Sequence, residues 1–282
     1  MTTHTDESPG YAMARQGGTI ARPDMAWQEK HIPAVNLLGF QLHPGTLEDY
    51  LGLVQAAIRE RVSVRVLYHN LHSLHEYFRS EQLRQYYRGS VVLVDGMPLI
   101  GLLKLGGHAV DREHRLTYVD FIWPLLQRAC DNGWRVFVLG QSPETLSAAL
   151  EKIRERLPGL AIAGHHGYFD STAGSLENQE VIDQINTNET DLLLVGMGTP
   201  VQERWIHDNA ALLHSPAILA SGACMEYVAG AVQSPPRWMG RCGLEWSFRL
   251  LENPRRFAHR YLVEPWVLAA ILMRNFLLGS RA

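Results

Sequence analysis

The chain has 282 residues, 46% of them hydrophobic and 20% charged, which suits one large globular domain or two small ones and excludes disorder for most of its length. Its 24 glycines follow no triplet period, and its three widely spaced cysteines, Cys130, Cys224 and Cys242, form no CxxC pair, so collagen, disulfide-scaffold, zinc-knuckle and thioredoxin classes are excluded. The net charge of −3 is unevenly spread: residues 237–282 hold eight Arg and three Glu, a balance of +5, leaving −8 on the rest.

Residues 1–30 are polar, contain Gly17-Gly18 and two prolines, and read as a flexible tail rather than a signal peptide. The body, 31–230, alternates short apolar runs with amphipathic stretches. The runs are Val62–Leu67, Val91–Val94, Val136–Leu139, Leu160–Ala163, Leu192–Val195 and Ala217–Ala220. Rich in Val, Ile and Leu and bounded by turn residues, they predict strands buried on both faces of a mostly parallel sheet. Thr46 opens a helix over Leu47–Glu60, Thr117 caps one running to about Asn132, and Ser142-Pro143 opens one that Pro158-Gly159 stops. Thr199-Pro200-Val201-Gln202 reads as a capping box. The alternation implies an α/β fold, a sheet flanked by helices. Near residue 230 the pattern changes to a helical appendage, 231–282, with segments at 243–252, 255–262 and 265–278 that carry most of the basic charge. Its longest apolar run, Trp266–Met273, is well short of the roughly 20 residues that cross a bilayer. The cysteine usage points to a reducing, cytoplasmic compartment.

Ligands of open α/β sheets bind beyond the carboxyl ends of the strands. Glycines recur there, at Gly96, Gly140, Gly196, Gly198 and Gly222, where backbone N–H groups can cradle an anion, although such loops also need glycine simply to turn. Val201 stands where the third glycine of a dinucleotide fingerprint belongs, and no GxxxxGK[ST] or Asp-x-Asp occurs. A diphosphate here must then be balanced by Arg and backbone dipoles, with no metal and no cofactor. Asp95, ending an apolar strand at the crevice rim, is either a general base or part of a plain Asp-Gly turn. Gln202 and Glu203 either face the ligand or serve as helix cap and dipole compensation. Arg115 either reaches a phosphate or is a surface cation. His69, His72 and His75 are spaced by three; the outer two diverge by about 120° on a helix and do not converge on a metal. His165-His166 reads as a loop pair, and no Gly-x-Ser-x-Gly elbow exists. Trp238, Trp246, Phe248, Leu250 and Leu251, set among Arg237, Arg241, Arg249, Arg255, Arg256 and Arg260, suit either an anionic membrane surface or a helix packing face. No RNA-binding signature accompanies them.

Several segments together resemble a known family. They are Val94-Asp95-Gly96-Met97-Pro98, Arg115-Leu116-Thr117-Tyr118-Val119-Asp120, Phe137-Val138-Leu139-Gly140, Gly167-Tyr168-Phe169, and Gly196 to Ile206 with its Gly-x-Gly-x-Pro-x-Gln-Glu core. Pro235-Pro236-Arg237-Trp238-Met239, Gly243-Leu244-Glu245-Trp246 and Pro254-Arg255-Arg256 follow. In this order and spacing, over roughly residues 33–262, the chain resembles the WecG/TagA/CpsF glycosyltransferases, glycosyltransferase family 26. The resemblance implies a Rossmann-like core and an appendage that closes the site and meets the inner face of the cell membrane. It implies an inverting, metal-independent enzyme that moves a sugar of N-acetylmannosamine or glucose type from a UDP-sugar to an undecaprenyl-diphosphate-linked acceptor in cell-surface or exopolysaccharide synthesis. By position, Asp95 is the expected base, Asn70, Arg115 and Gln202 are expected active-site polar groups, and Arg249, Arg256 or Arg260 is the expected diphosphate clamp. The chain departs from the family pattern at Tyr68 (often Thr), Val201 (often Lys) and Ser234-Pro235-Pro236 (often Arg-Ala-Pro). Two further readings stay open here: a non-catalytic UDP-sugar or polyprenyl-phosphate binder, and a nucleic-acid binder using the basic end. A homo-oligomer is also left open.

Overall fold

The computed structural model describes residues 25–232 and 245–278, together with Ile20 and Met239. The end of the segment expected to be a flexible tail is helical: α1 (Met25–His31) buries Gln28, and Trp27 Nε1 donates to Glu60 at 2.8 Å. A hairpin of β1 (Val35–Leu37) and β2 (Phe40–Leu42) follows, turning through Leu38 at φ 51° and Gly39 at φ 92°.

All six apolar runs become strands of one sheet. They are β3 (Val64–His69), β4 (Val91–Val94), β5 (Val136–Gly140), β6 (Ile162–His165), β7 (Leu192–Gly196) and β8 (Ala217–Ala220). The order is β4-β3-β8-β7-β5-β6, every pair parallel. Every residue of β4, β5, β7 and β8 is buried. This is why these strands read as continuous Val/Leu runs rather than alternating ones: helices cover both faces. Each fully buried Leu or Val contributes about 1.5–3 kcal/mol.

The core helices are α2 (Leu47–Glu60), α3 (Leu71–Arg79), α4 (Glu81–Tyr87), α5 (Met97–Leu105), α6 (Tyr118–Asp131), α7 (Pro143–Arg156), α8 (Leu176–Thr187), α9 (Val201–Asn209) and α10 (Cys224–Ala229). Thr46 caps α2 in a full capping box with Asp49, and Ser142 caps α7. Thr117 is the N-cap residue of α6 but makes no cap bond; its hydroxyl donates instead to Asp120 Oδ2 at 3.0 Å. The expected box at Thr199 does not form. Pro200, after a cis Thr199–Pro200 bond, is the N-cap of α9, and Thr199 Oγ1 donates to Glu203 Oε1 at 2.9 Å.

Three C-terminal helices, α11 (Glu245–Glu252), α12 (Pro254–Leu262) and α13 (Glu264–Leu277), match the predicted helical appendage. They dock on the core through α13, which packs along α3, buries Leu268 and Leu272, and donates from Asn275 Nδ2 to Leu38 O at 3.0 Å. No helix among the described residues is long and apolar enough to cross a membrane.

The sheet neighbours β3 and β8 send the chain opposite ways. β3 leads through α3 and α4 to the edge strand β4, while β8 leads to α10, packed on α6 and α7. Such a divergence opens a crevice at the carboxyl ends of the strands, and the appendage lies across it.

Candidate active site

Two cavities share one wall in this crevice. The larger, about 370 Å³, lies over the ends of β3, β7 and β8 and is lined by Tyr68, Thr117, Gly198, Ser221, Gly222 and Tyr227, among others. The smaller, about 260 Å³, lies over the start of α5 and is lined by Leu71, Met97, Pro98, Arg115, Trp246 and Pro265, among others. Asn70, His72, Asp95, Arg249 and Arg260 line both.

Asp95 owes its place to strand geometry. Its N–H donates to His69 O at 2.8 Å, continuing the β3–β4 ladder one residue beyond β4. The chain then turns at Gly96, whose φ of 133° is one that residues with side chains rarely adopt. The carboxylate is thus left half-exposed at the junction of the two cavities. Asn70 Nδ2 donates to Asp95 Oδ2 at 3.1 Å while Asn70 Oδ1 caps α3 through Ser73 N at 3.0 Å. One side chain therefore both starts the helix and aims the acid. Leu116 N donates to Val94 O at 2.9 Å, which lays the Arg115–Thr117 segment beside the end of β4. Arg115 is not a surface cation: its side chain is buried, pairs with Asp120 at 3.2 Å and lines the smaller cavity.

The glycines divide into two groups. Gly96, Gly198 and Gly222 line the cavities. Gly140 and Gly196 do not; they face each other in the β5–β7 register and stack backbone on backbone. A Cβ on Gly140 would stand 2.3 Å from Gly196 O, and one on Gly196 would stand 2.6 Å from Gly222 O. Gln141, which sequence reasoning passed over, clips this stack with Nε2 donating to Gly196 O at 3.1 Å and Gly222 O at 2.9 Å.

Gln202 and Glu203 also depart from the ligand-facing reading. Both are fully buried and line neither cavity. Gln202 Nε2 donates to Tyr68 OH at 3.1 Å and Glu203 Oε1 at 2.9 Å, and its Oε1 accepts from Gly222 N at 3.1 Å. Both side chains lie beneath the cavity floor, because α9 packs this first turn against Tyr68 and Gly222, which line it. Burial pushes the Glu203 carboxyl above the usual range, partly countered by Gln202 and Thr199. Burial, with the nearby Glu203 charge, pushes the Tyr68 phenol up to about 12, so it stays protonated and able to donate. These two residues act on the site through Tyr68 and Gly222.

Across the shared wall stand the appendage arginines. Arg249 lies over the Tyr227 ring at 5.5 Å, and Arg260 lies near the Phe257 and Tyr261 rings at 6.0 and 5.8 Å. The Arg256 side chain, Arg237, Arg241, Cys242 and the Pro235–Trp238 and Gly243–Leu244 parts of the pattern lie outside the described residues. His69 ends β3, whereas His72 and His75 lie on α3, so the three do not share one helix as their spacing suggested. His69 is buried and stacked on Tyr87 at 4.3 Å, with burial lowering its pKa to about 3. Among the described residues no group of three or more His, Cys, Asp or Glu is arranged to hold a metal ion.

The site thus offers a carboxylate aimed by an amide, two adjoining chambers and two guanidinium groups facing them. Comparison with known proteins finds two named relatives and a family. An N-acetylglucosaminyldiphosphoundecaprenol N-acetyl-beta-D-mannosaminyltransferase from Staphylococcus aureus is 32% identical over 171 residues, 60% of this chain and 64% of that protein. The same-named enzyme of Bacillus spizizenii is 29% identical over 181 residues, 64% of this chain and 67% of the relative. The chain therefore spans just under two thirds of the staphylococcal relative's length. The profile of the glycosyl transferase WecG/TagA/CpsF family matches residues 35–282, and this chain belongs to that family.

Proposed function

We propose that the protein moves a sugar, of N-acetylmannosamine or glucose type, from a UDP-sugar to a sugar carried on undecaprenyl diphosphate, with inversion and without a metal ion. The observation that carries this reading is the shared wall: Asp95 and Asn70 stand where two chambers meet, faced by Arg249 and Arg260. A two-substrate transfer needs two adjoining chambers and a base between them. Asp95 takes the proton from the acceptor hydroxyl as that oxygen bonds the anomeric carbon. The bond from that carbon to the donor's phosphate oxygen breaks on the opposite face. The departing diphosphate gains negative charge, which Arg249 and Arg260 balance in place of a cation. The names of the relatives, which specify a diphosphoundecaprenol acceptor and an N-acetylmannosaminyl group, support the acceptor class and one of the two donor types.

Membrane contact belongs to the same proposal. Around the appendage, Leu251, Leu262, Trp266, Met273, Phe276 and Leu277 are exposed, at 54–82%. Such an apolar face beside Arg274 suits the interface of an anionic bilayer, and it would hold the enzyme at the inner face of the cell membrane, where a lipid-linked acceptor is presented. The test is a turnover screen of labelled UDP-sugars against lipid-diphosphate acceptors, with and without chelator. Transfer that survives chelation is expected; sugar release to no acceptor, or transfer that requires a divalent ion, overturns the reading.

A further inference from the structure

The histidines that bind no metal have another partner. Glu264, at the first position of α13, is buried, and three histidines surround its carboxylate. His72 Nδ1 lies 2.7 Å from Oε2, His259 Nδ1 lies 3.4 Å from Oε1, and His75 Nδ1 lies 4.0 Å from Oε2. His75 is fully buried and engaged with Glu76 Oε1 at 3.1 Å, and His259 is largely exposed. His72 differs from both, because it lines the two cavities at once. It stands on the first turn of α3, two residues after Asn70, where the positive end of the helix favours an anion. Burial pushes the Glu264 carboxyl up, but hydrogen bonding and charge from His72, with His75 and His259, hold it below its ordinary value.

An ionised carboxylate only accepts, so the hydrogen between the pair sits on His72 Nδ1. The ring's other nitrogen, Nε2, is then set by the same contact, as in any imidazole held by a carboxylate. The ionisable groups that line the same cavities as this ring are Glu264 from α13, His259 and Arg260 from α12, Arg249 from α11, Asp95 beyond β4 and Arg115 before α6. We propose that His72 touches the diphosphate-bearing substrate through Nε2 at the junction of the chambers, and that Glu264 is the positioning residue that fixes its ring. The inference rests on the transferase reading above. It gives α13, on the opposite end of the chain from α3, a direct hand in the site.

Asn and Gln substitutions separate the two ring nitrogens. His72→Asn leaves an amide nitrogen near the Nδ1 position and keeps the Glu264 contact. His72→Gln places one near Nε2. With the full chain, His72→Asn should unfold at the wild-type temperature yet lose about 10- to 100-fold in kcat/KM, the range of a hydrogen bond to a charged group. His72→Gln should lose less. Glu264→Ala should lose about as much as His72→Asn, and the double variant no more than either, as for residues acting as a unit. Calorimetry with UDP alone and KM for the lipid acceptor identify which diphosphate the ring touches. Equal activity of His72→Asn and wild type, or equal loss in the Asn and Gln variants, overturns the contact. If His72→Asn unfolds early, His72→Gln and His72→Ala decide: at matched unfolding temperatures a higher kcat/KM for Gln supports the contact and equality refutes it. A wild-type chain that neither binds UDP nor transfers sugar brings down the transferase reading itself; transfer with an indifferent His72 brings down this inference alone.

Discussion

Replacing Gln202 by Leu separates a brace from a reacting group. The volume is nearly conserved, so little cavity forms. Three buried groups lose a partner: Gly222 N–H, Tyr68 OH and Glu203 Oε1. Glu203 keeps the Thr199 hydroxyl at 2.9 Å and Tyr68 OH keeps its hydrogen bond with Thr199, so the full penalty falls on the Gly222 N–H. Left unsatisfied, that donor costs about 1–3 kcal/mol, against the roughly 5–15 kcal/mol of a typical domain. The fold should survive with a clearly lower urea midpoint and an unchanged slope. Because Tyr68 and Gly222 line the larger chamber, KM for the substrate held there should rise along with the loss of stability. Urea unfolding followed by tryptophan fluorescence, read beside steady-state kinetics, tests this. A variant as stable as wild type that still loses a hundredfold or more in kcat would show that Gln202 meets the reacting atoms, and the bracing argument would fall.

Three further outcomes are expected. Asp95→Asn retains an oxygen to accept from Asn70, so its unfolding should match wild type while kcat falls by about 10²–10⁴, the usual worth of a general base; near-normal transfer would remove Asp95 from that role. Glu203 has a raised pKa when folded, so the folded state holds its proton more tightly, and wild-type stability should decline as pH rises above the ordinary value of 4.5. Glu203→Gln should flatten that slope, and an unchanged pH profile of unfolding would contradict the burial argument. Replacing the exposed Trp266 and Phe276 with Glu should abolish sedimentation with anionic vesicles while leaving the unfolding temperature within about 2–4 °C of wild type, as surface changes do; undiminished vesicle binding would place the membrane contact elsewhere.

The sheet was legible because runs such as Val91–Val94 and Leu192–Val195 have one physical use, burial on both faces. The β1–β2 hairpin was not, because its turn is Leu38-Gly39 and a leucine at positive φ carries no local signal. Asp95, Asn70 and Gly96 stood out because they follow strands, where sheet geometry alone brings them together. Gln202 was open to a capping and a ligand-facing role and takes neither, because its partners Tyr68 and Gly222 come from distant strand ends that local spacing does not bring into view. The Glu264–His72 pair joins residues 192 positions apart, a separation that no spacing rule reaches without an alignment or a structure.

The stacked glycines of β5, β7 and the loop after β8 set a limit on how this enzyme can be remodelled. A methyl on Gly140 presses on the Gly196 main chain and one on Gly196 presses on Gly222, so each forces a neighbouring backbone to move. That corner of the scaffold cannot be altered in single steps. Variation in what the enzyme accepts must instead be written where side chains, not main chains, meet the bound molecule: at Tyr68, along the start of α5, and on the helices that close over them.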